Sequence, residues 1–320
     1  MIKNLYIIGN GFDIHHGINS SYGAYHQWME DNGHWDAINK IDEIYGGGYD
    51  WWSDLENSLG ELDMDEYSRN QASEHYPNFA SDDFRDADWY DAECAVESEF
   101  NEMTDALKET FAEWIEQLNH PDVRKKIPLV KKYALFLNFN YTATLEDFYN
   151  VPRENVWHPH GYIHLEGGDY VLGHGKDYNQ LKHELLRQGP QPPPTASEDE
   201  LRVFYQENSD YIIDRAQDAT ISGVASLRKP VTEIIASNID FWKAIRGVTH
   251  VYIWGYSFSS IDEPYLNKIM SSICKRRVKW TISYYDGRDL ARIKTFVEKY
   301  HLRYSRIRLQ TLEEIQNMNQ

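Results

Sequence analysis

The chain has 320 residues, of which 41% are hydrophobic and 14% aromatic, so it can build one large folded domain or two smaller ones. Its 51 acidic and 32 basic residues give a net charge of −19, which disfavours nucleic acid as the main ligand. The two cysteines are far apart, the apolar runs are too short to span a bilayer, and the start lacks a signal-peptide core. We therefore expect a cytoplasmic protein without a disulfide framework, a zinc ribbon or a membrane span.

Five short apolar runs predict β-strands, and helical patterns or loops follow them. The runs cover residues 5–9, 133–139, 251–255, 278–286 and 305–310. Apolar strands that alternate with helices are typical of a parallel sheet covered on both faces. The sequence therefore predicts an α/β fold with a Rossmann-like parallel sheet flanked by helices, in which ligands bind at the carboxyl ends of the strands.

The long segments between these strands predict two largely helical insertions. Apolar residues recur at helical spacing over 95–119, and the proline run at 189–195 indicates a surface loop. We expect a single discontinuous domain over residues 1–320. Its α/β core covers about 1–30, 130–175 and 248–320, and its insertions cover about 31–129 and 176–247.

A glycine-rich loop follows the first strand. It consists of Gly9, Asn10, Gly11, Phe12 and Asp13. Glycines at a strand-to-helix turn let backbone N–H groups approach a pyrophosphate. The next glycine comes six residues after the second rather than three, so a nicotinamide-dependent dehydrogenase fits poorly. A tight turn without a ligand is an equal alternative, and Asp13 is then a helix N-cap.

Polar residues follow the second strand in the segment FNYTATLE. Asn140 stands at the strand end, and Thr142 is a candidate helix cap. The segment HPHG comes next, where His158 and His160 point to the same side if the backbone is extended. Three interpretations remain for this pair: histidines packed against aromatic rings, metal ligands, or a general base.

The late strands also end in polar turns. Gly255 and Ser257 end the third long strand, and Asp262 is predicted to cap the following helix. Ser257 lies in G-Y-S-F rather than in a hydrolase elbow, so we assign it as a phosphate or ribose contact and not as a nucleophile. Asp286 is either a ribose contact or an ordinary turn aspartate.

Four segments together resemble the AbiH family of bacterial abortive-infection proteins, which act against phage. They are GNGFDIHHGI, FNYTATLE, HPHG and WGYSFSSID, in family order from residue 5 to about residue 290. That family in turn resembles the sirtuin-like NAD-binding fold, with Asn140, His160 and Gly255 at matching motif positions. Asp13 stands where sirtuins carry a small Ser or Thr, and Thr142 where they usually carry Asp. The four-cysteine zinc module of protein deacylases has no counterpart here.

The resemblance implies an anti-phage effector that binds NAD and hydrolyses its nicotinamide–ribose bond. It implies His160 as a general base and Asn140 as the amide that positions the attacked or activated group. The backbone from Gly9 to Phe12 then holds the pyrophosphate together with Ser257, and Tyr141 or Phe12 stacks near the nicotinamide. No metal is expected.

Two other functions remain open. One is a nucleotide-sensing binding module without catalysis. The other is a metal-dependent hydrolase with His158, His160, His164 and His174 as ligands. Candidate partners are a small nucleotide ligand, a second copy of the chain and a phage-derived trigger.

Overall fold

The computed structural model describes residues 2–163 and 170–318. The chain divides into two compact units, each assembled from separate stretches of sequence. The first unit comprises residues 1–28, 111–171 and 230–320, and the second comprises residues 29–110 and 172–229.

A six-stranded parallel sheet forms the centre of the first unit, as the sequence predicts. Its spatial order is β3-β2-β1-β4-β5-β6. The strands are β1 (Asn4–Ile8), β2 (Ala134–Asn138), β3 (Val156–Trp157), β4 (His250–Trp254), β5 (Lys279–Ser283) and β6 (Ile307–Gln310). Five match predicted runs, and the two-residue β3 was missed because it is too short to show a pattern. The order reverses between β1 and β4, where sheets of this type usually bind ligands.

The central strand is buried on both faces, which explains its unbroken apolar sequence. Leu5 and Ile7 belong to the core on one face, whereas Tyr6 and Ile8 belong to the core on the other. The Tyr6 ring stacks on its neighbours in register, at 4.8 Å from Phe136 and 4.4 Å from Tyr252 between ring centroids. This alternation fixes the register of the sheet, because a shift by one residue would exchange the two faces.

Helices cover the two faces of this sheet. They are α1 (Asn10–His15), α2 (Tyr22–Asn32), which runs on into the second unit, α8 (Thr144–Asp147), α12 (Val231–Ser237), α13 (Ile239–Ala244), α14 (Glu263–Ser272), α15 (Gly287–Lys299) and α16 (Leu312–Asn317). Short 3-10 helices occur at residues 123–125, 153–155, 245–247 and 304–306.

The second unit is helical in its described residues. Its helices are α3 (Trp35–Tyr45), α4 (Tyr49–Ser53), α5 (Leu55–Ser58), α6 (Met64–Glu74), most of α7 (Asp91–Glu116), α9 (Tyr178–Gln188), α10 (Glu198–Glu207) and α11 (Tyr211–Ser226), with a 3-10 turn at 86–90. α11 packs against α6 and α9. Small side chains permit this approach: the Ser68 hydroxyl donates to the Thr220 hydroxyl at 3.0 Å. Across residues 2–163 and 170–318, none of the helices combines the length and apolar character needed to cross a bilayer.

Candidate functional site

The residues singled out in the sequence follow the ends of successive parallel strands and so lie along the carboxyl edge of the sheet. Asp13 follows β1, Asn140 follows β2, and His160 follows β3. Gly255 and Asp262 follow β4. The structure connects them in three groups: the glycine turns, an Asp13–Thr142 pair, and a His160–Asp262 pair.

The glycine loop after β1 packs directly against the turn after β4. The Gly9 N–H donates to the Trp254 carbonyl at 3.0 Å, and the Gly11 N–H donates to the Gly255 carbonyl at 2.8 Å. The Phe12 N–H donates to the Gly9 carbonyl at 2.9 Å. Three of the backbone donors that the sequence assigns to a pyrophosphate are therefore paired with protein carbonyls.

This close approach explains why the sequence carries glycine on both sides. A Cβ atom on Gly9 would lie 2.7 Å from the Gly255 carbonyl oxygen, and one on Gly11 would lie 2.9 Å from the Gly255 Cα. A Cβ on Gly255 would lie 2.0 Å from the Phe12 nitrogen, and Gly255 also has φ +61°. All three glycines are required by the contact between the two turns.

Three other predicted ligand contacts lie near the surface of the same edge. The exposed Asn10 is held by Ser20, whose hydroxyl donates to Asn10 Oδ1 at 2.5 Å. Ser257 is exposed on the turn after β4. Asp286 is the N-cap of α15, where its carboxylate accepts the N–H groups of Arg288 and Asp289. These bonds hold the pKa of Asp286 below its usual value.

Asp13 lies inside α1 and is completely buried, so it is not the N-cap of this helix. Its Oδ2 accepts the Thr142 hydroxyl at 2.5 Å. Thr142 therefore does not cap α8, whose N-cap is Ala143. Both expected caps instead form one hydrogen bond that joins α1 to the loop after β2.

Burial raises the pKa of Asp13 to about 6, because the ionised carboxylate loses its hydration inside the protein. The hydroxyls of Thr142 and Thr144 act in the opposite direction, since they donate to the ionised form. In the described part of the chain, Oδ1 of Asp13 and Oδ1 of Asn140 are both buried without a hydrogen-bond donor. Buried acceptors of this kind are uncommon unless a ligand or water supplies the donor.

His158 and His160 pair with two different carboxylates because the segment between them is a turn rather than an extended strand. His158 Nε2 lies 2.8 Å from Glu146 Oε1, and its Nδ1 donates to the Asn140 carbonyl at 3.1 Å. His160 Nε2 lies 3.2 Å from Asp262 Oδ1, which is an ion-pair distance, but the two atoms do not meet hydrogen-bond geometry. The backbone turn is closed by the Gly161 N–H, which donates to the His158 carbonyl.

The His160–Asp262 pair is buried among aromatic rings. His160 is 2% exposed and Asp262 is 7% exposed. The rings of Phe139 and Tyr265 lie 5.3 Å and 5.9 Å from the imidazole between centroids. Asp262 is the N-cap residue of α14, as predicted, but its side chain makes no capping hydrogen bond. The pairing with His160 is tertiary and left no local signal in the sequence.

The two proposed stacking residues occupy different environments. Phe12 is fully buried against Trp254, His16 and Tyr149. Tyr141 is 8% exposed, and its hydroxyl donates to the Val171 carbonyl at 2.9 Å.

His16 belongs to a buried hydrogen-bonded network next to Phe12. Its Nδ1 donates to the Phe12 carbonyl at 2.7 Å, and its Nε2 accepts the Tyr149 hydroxyl at 2.5 Å. The Tyr149 oxygen also accepts the Ile127 N–H at 2.9 Å. Burial lowers the pKa of His16 to about 4, so the ring is neutral at physiological pH.

A cavity of about 250 Å³ opens beside the Asp13–Thr142 pair. Thr142 and Thr144 line it together with apolar residues such as Ile18 and Ile163. Its charged lining groups are the carboxylates of Glu116 and Asp147. The cavity therefore suits an uncharged or cationic group better than a phosphate.

The described histidines among the candidate metal ligands do not form a cluster. Within the described residues, no group of three or more His, Cys, Asp or Glu side chains could hold a metal ion. His164 lies outside those residues. Both ring nitrogens of His174 are used, since Nε2 donates to the Val224 carbonyl and Nδ1 accepts the Lys176 N–H.

Comparison with known proteins identifies a family. The model of the family described as bacteriophage abortive infection AbiH matches residues 5–284. Searches of curated proteins and of solved structures gave no significant match. The matched range contains β1 apart from its first residue, all of β2 to β5, and all the site residues above except Asp286. Because this range covers most of the chain, the protein belongs to the bacteriophage abortive infection AbiH family.

Proposed function

We propose that this AbiH protein is an anti-phage effector that binds NAD and hydrolyses its nicotinamide–ribose bond. The family indicates a role in abortive infection. The buried His160–Asp262 pair at the carboxyl edge of the sheet carries the proposal for catalysis. Hydrolysis of this bond passes through an oxocarbenium-like state, so the protein has to orient the ribose and activate water.

His160 acts as the general base in this proposal. A carboxylate next to one ring nitrogen fixes the orientation of the imidazole and stabilises the imidazolium that forms when the other nitrogen accepts a proton. Asp262 supplies that carboxylate. Asn140 positions the water or ribose hydroxyl, and its buried Oδ1 acceptor is suited to a hydroxyl donor.

The Asp13–Thr142 pair supports the sirtuin-like part of the proposal. Sirtuins have a hydroxyl residue in the glycine loop and usually an aspartate after the second strand, whereas this chain has Asp13 and Thr142. The two side chains are hydrogen-bonded to each other. The acid and the hydroxyl thus stand at exchanged positions relative to the sirtuin pattern, and in this chain they contact each other.

The phosphate contacts are proposed at the exposed rim of the glycine turn rather than at its paired amides. Binding a pyrophosphate through the N–H groups of Gly9, Gly11 and Phe12 would require breaking their bonds to carbonyl groups. Asn10 and Ser257 are exposed beside these bonds and carry polar side chains. They remain the proposed contacts for the diphosphate, and NAD remains the proposed ligand.

Nicotinamide release from NAD by the purified protein, with and without phage lysate, tests the proposal. His160→Ala should lower the rate about 10²- to 10⁴-fold, as expected for loss of a general base. Asp262→Asn should lower it about 10- to 100-fold, since it removes a group that orients the base. His183→Ala is the matched control because this histidine is exposed on α9.

The variants also separate the proposal from its alternatives. NAD that protects the protein against thermal unfolding without being consumed would favour a binding module. If His158→Ala abolishes nicotinamide release while His160→Ala remains active, the general base is His158 and not His160. If NAD is neither consumed nor protects the protein under any of these conditions, NAD is refuted as the ligand.

A further inference from the structure

A second cavity of the first unit lies at the opposite edge of the sheet from the candidate site. Its volume is about 410 Å³, within the range of small-molecule sites. Residues of α12, α13 and α14 line it, and these helices lead into β4 and β5. Residues that precede parallel strands lie at the amino edge of a sheet, whereas His160 and Asp13 follow strands. The two sites are therefore separate.

The charged residues of this cavity all have the same sign. Lys243, Arg246 and Lys268 line it, and no carboxylate of the described residues does. We call these three residues and the space between them the basic pocket. In a chain with 51 acidic and 32 basic residues, such a purely basic lining departs from the average surface. It creates a local positive potential within a negatively charged protein.

Two of the three cations have no side-chain partner among the described residues. Lys243 pairs with Asp240 at 3.1 Å on the exposed side of α13. Arg246 and Lys268 form no side-chain hydrogen bond or ion pair within the ranges 2–163 and 170–318. Their eight N–H donors are therefore directed to solvent, and a guanidinium beside an ammonium is suited to a phosphate.

Apolar side chains and two serines form the remaining walls. Ile235, Ile239 and Trp242 line the pocket beside the cations. Trp242 is held in place because its indole N–H donates to the Ile235 carbonyl at 2.7 Å. The hydroxyls of Ser271 and Ser272 both donate to the Lys268 carbonyl at 2.8 Å, so they cap the end of α14 and offer only acceptors. An anion with an apolar or aromatic body fits these walls better than a bare ion.

We propose that the basic pocket binds a small phosphorylated ligand that carries an apolar or aromatic group. The phosphate would lie between Arg246 and Lys268, and the apolar part would lie against Ile235 and Ile239. This proposal does not rest on NAD hydrolysis, because it concerns other residues at the other edge of the sheet.

The competing interpretation is that these cations stabilise helix ends and bind no ligand. Lys243 stands in the last turn of α13 and Arg246 in the 3-10 turn that follows it, where positive charge complements the helix dipole. In that case their removal would lower the stability and leave ligand binding unchanged.

Calorimetric titration with phenyl phosphate, inorganic phosphate and benzyl alcohol tests the proposal. Phenyl phosphate should bind more tightly than either of the others, because it supplies both the anion and the ring. The double variant Arg246→Gln/Lys268→Gln should weaken its binding about tenfold or more. The matched control Lys294→Gln/Arg303→Gln removes the same two charges from exposed positions of the same unit and should change the affinity less than about twofold.

Three outcomes would overturn the proposal. The first is no saturable binding of phenyl phosphate in the millimolar range. The second is equal weakening in the test and control variants, which would show a general effect of net charge. The third is a lower unfolding temperature of the test variant with unchanged binding, which would assign the cations to the helix ends. Circular dichroism of both variants establishes that each is folded.

Discussion

Replacement of Gly255 by alanine tests the contact between the turns after β1 and β4. Gly255 has φ +61°, a conformation that costs an alanine about 1–2 kcal/mol. The new Cβ would also lie 2.0 Å from the Phe12 nitrogen and 2.4 Å from the Gly11 carbonyl carbon. These are backbone atoms that cannot rotate away, so overpacking adds about 1–3 kcal/mol. We expect Gly255→Ala to lower the local stability by about 2–5 kcal/mol.

Gly17→Ala separates the two contributions. Gly17 has φ +80°, yet the nearest atoms to its added Cβ lie 3.9 Å away, so only the conformational cost applies. Gly287→Ala meets no atom within 4 Å and has no positive φ, so it should be close to neutral. Native-state hydrogen exchange of peptides from 5–18 and 250–258 measures the opening free energy at the contact itself. Equal losses in Gly255→Ala and Gly17→Ala would refute the steric argument.

Three further predictions concern buried polar groups. The pKa of Asp13 is about 6 in the folded state and about 4 in the unfolded state, so the stability that this residue contributes is present below pH 4 and is lost as the pH rises through 6. Asp13→Asn should therefore recover about 3 kcal/mol of unfolding free energy at pH 7, measured as the difference between urea-unfolding profiles. Tyr149→Phe should lower the unfolding free energy by about 1–3 kcal/mol in the same assay, because the Ile127 N–H loses its buried acceptor. A loss no larger than that of the same substitution at an exposed tyrosine would contradict the hydrogen-bond network. Lys229 has a fully buried side chain paired with Glu56 at 2.5 Å, so Lys229→Met should lower the unfolding free energy by about 3–5 kcal/mol, because it leaves the Glu56 charge uncompensated. If adding Glu56→Leu restores none of this stability, packing rather than the uncompensated charge accounts for the loss.

The sheet was predictable because its signal is local. Each long strand is a run of apolar residues bounded by polar turns, and burial of both faces removes the ambiguity about which side faces solvent. β3 lacked this signal, since Val156–Trp157 is held in place by its pairing with Phe136 and Leu137 rather than by its own sequence. Tertiary pairing determined this element.

The candidate site was predictable in its residue types but not in their connections. The position of His160 after a strand was evident, yet its partner Asp262 lies about a hundred residues later and resembles an ordinary helix cap. Likewise, Asp13 and Thr142 were each interpretable as local caps, although they bind each other. A polar residue that could cap a helix has the same sequence pattern as one that pairs with a distant residue, so the sequence does not distinguish the two roles.

The register of the central strand has a consequence for synthesis of the protein. Asn4 of β1 is paired with His250 of β4, so the two halves of the glycine contact leave the ribosome 246 residues apart. At about 5–20 residues per second this is a delay of roughly 12–50 s, during which β1 can pair only with β2. An incomplete chain that ends before β4 has no Gly255 turn and no Asp262. A chain interrupted during translation, for example when phage infection halts its synthesis, would thus lack the proposed catalytic pair altogether.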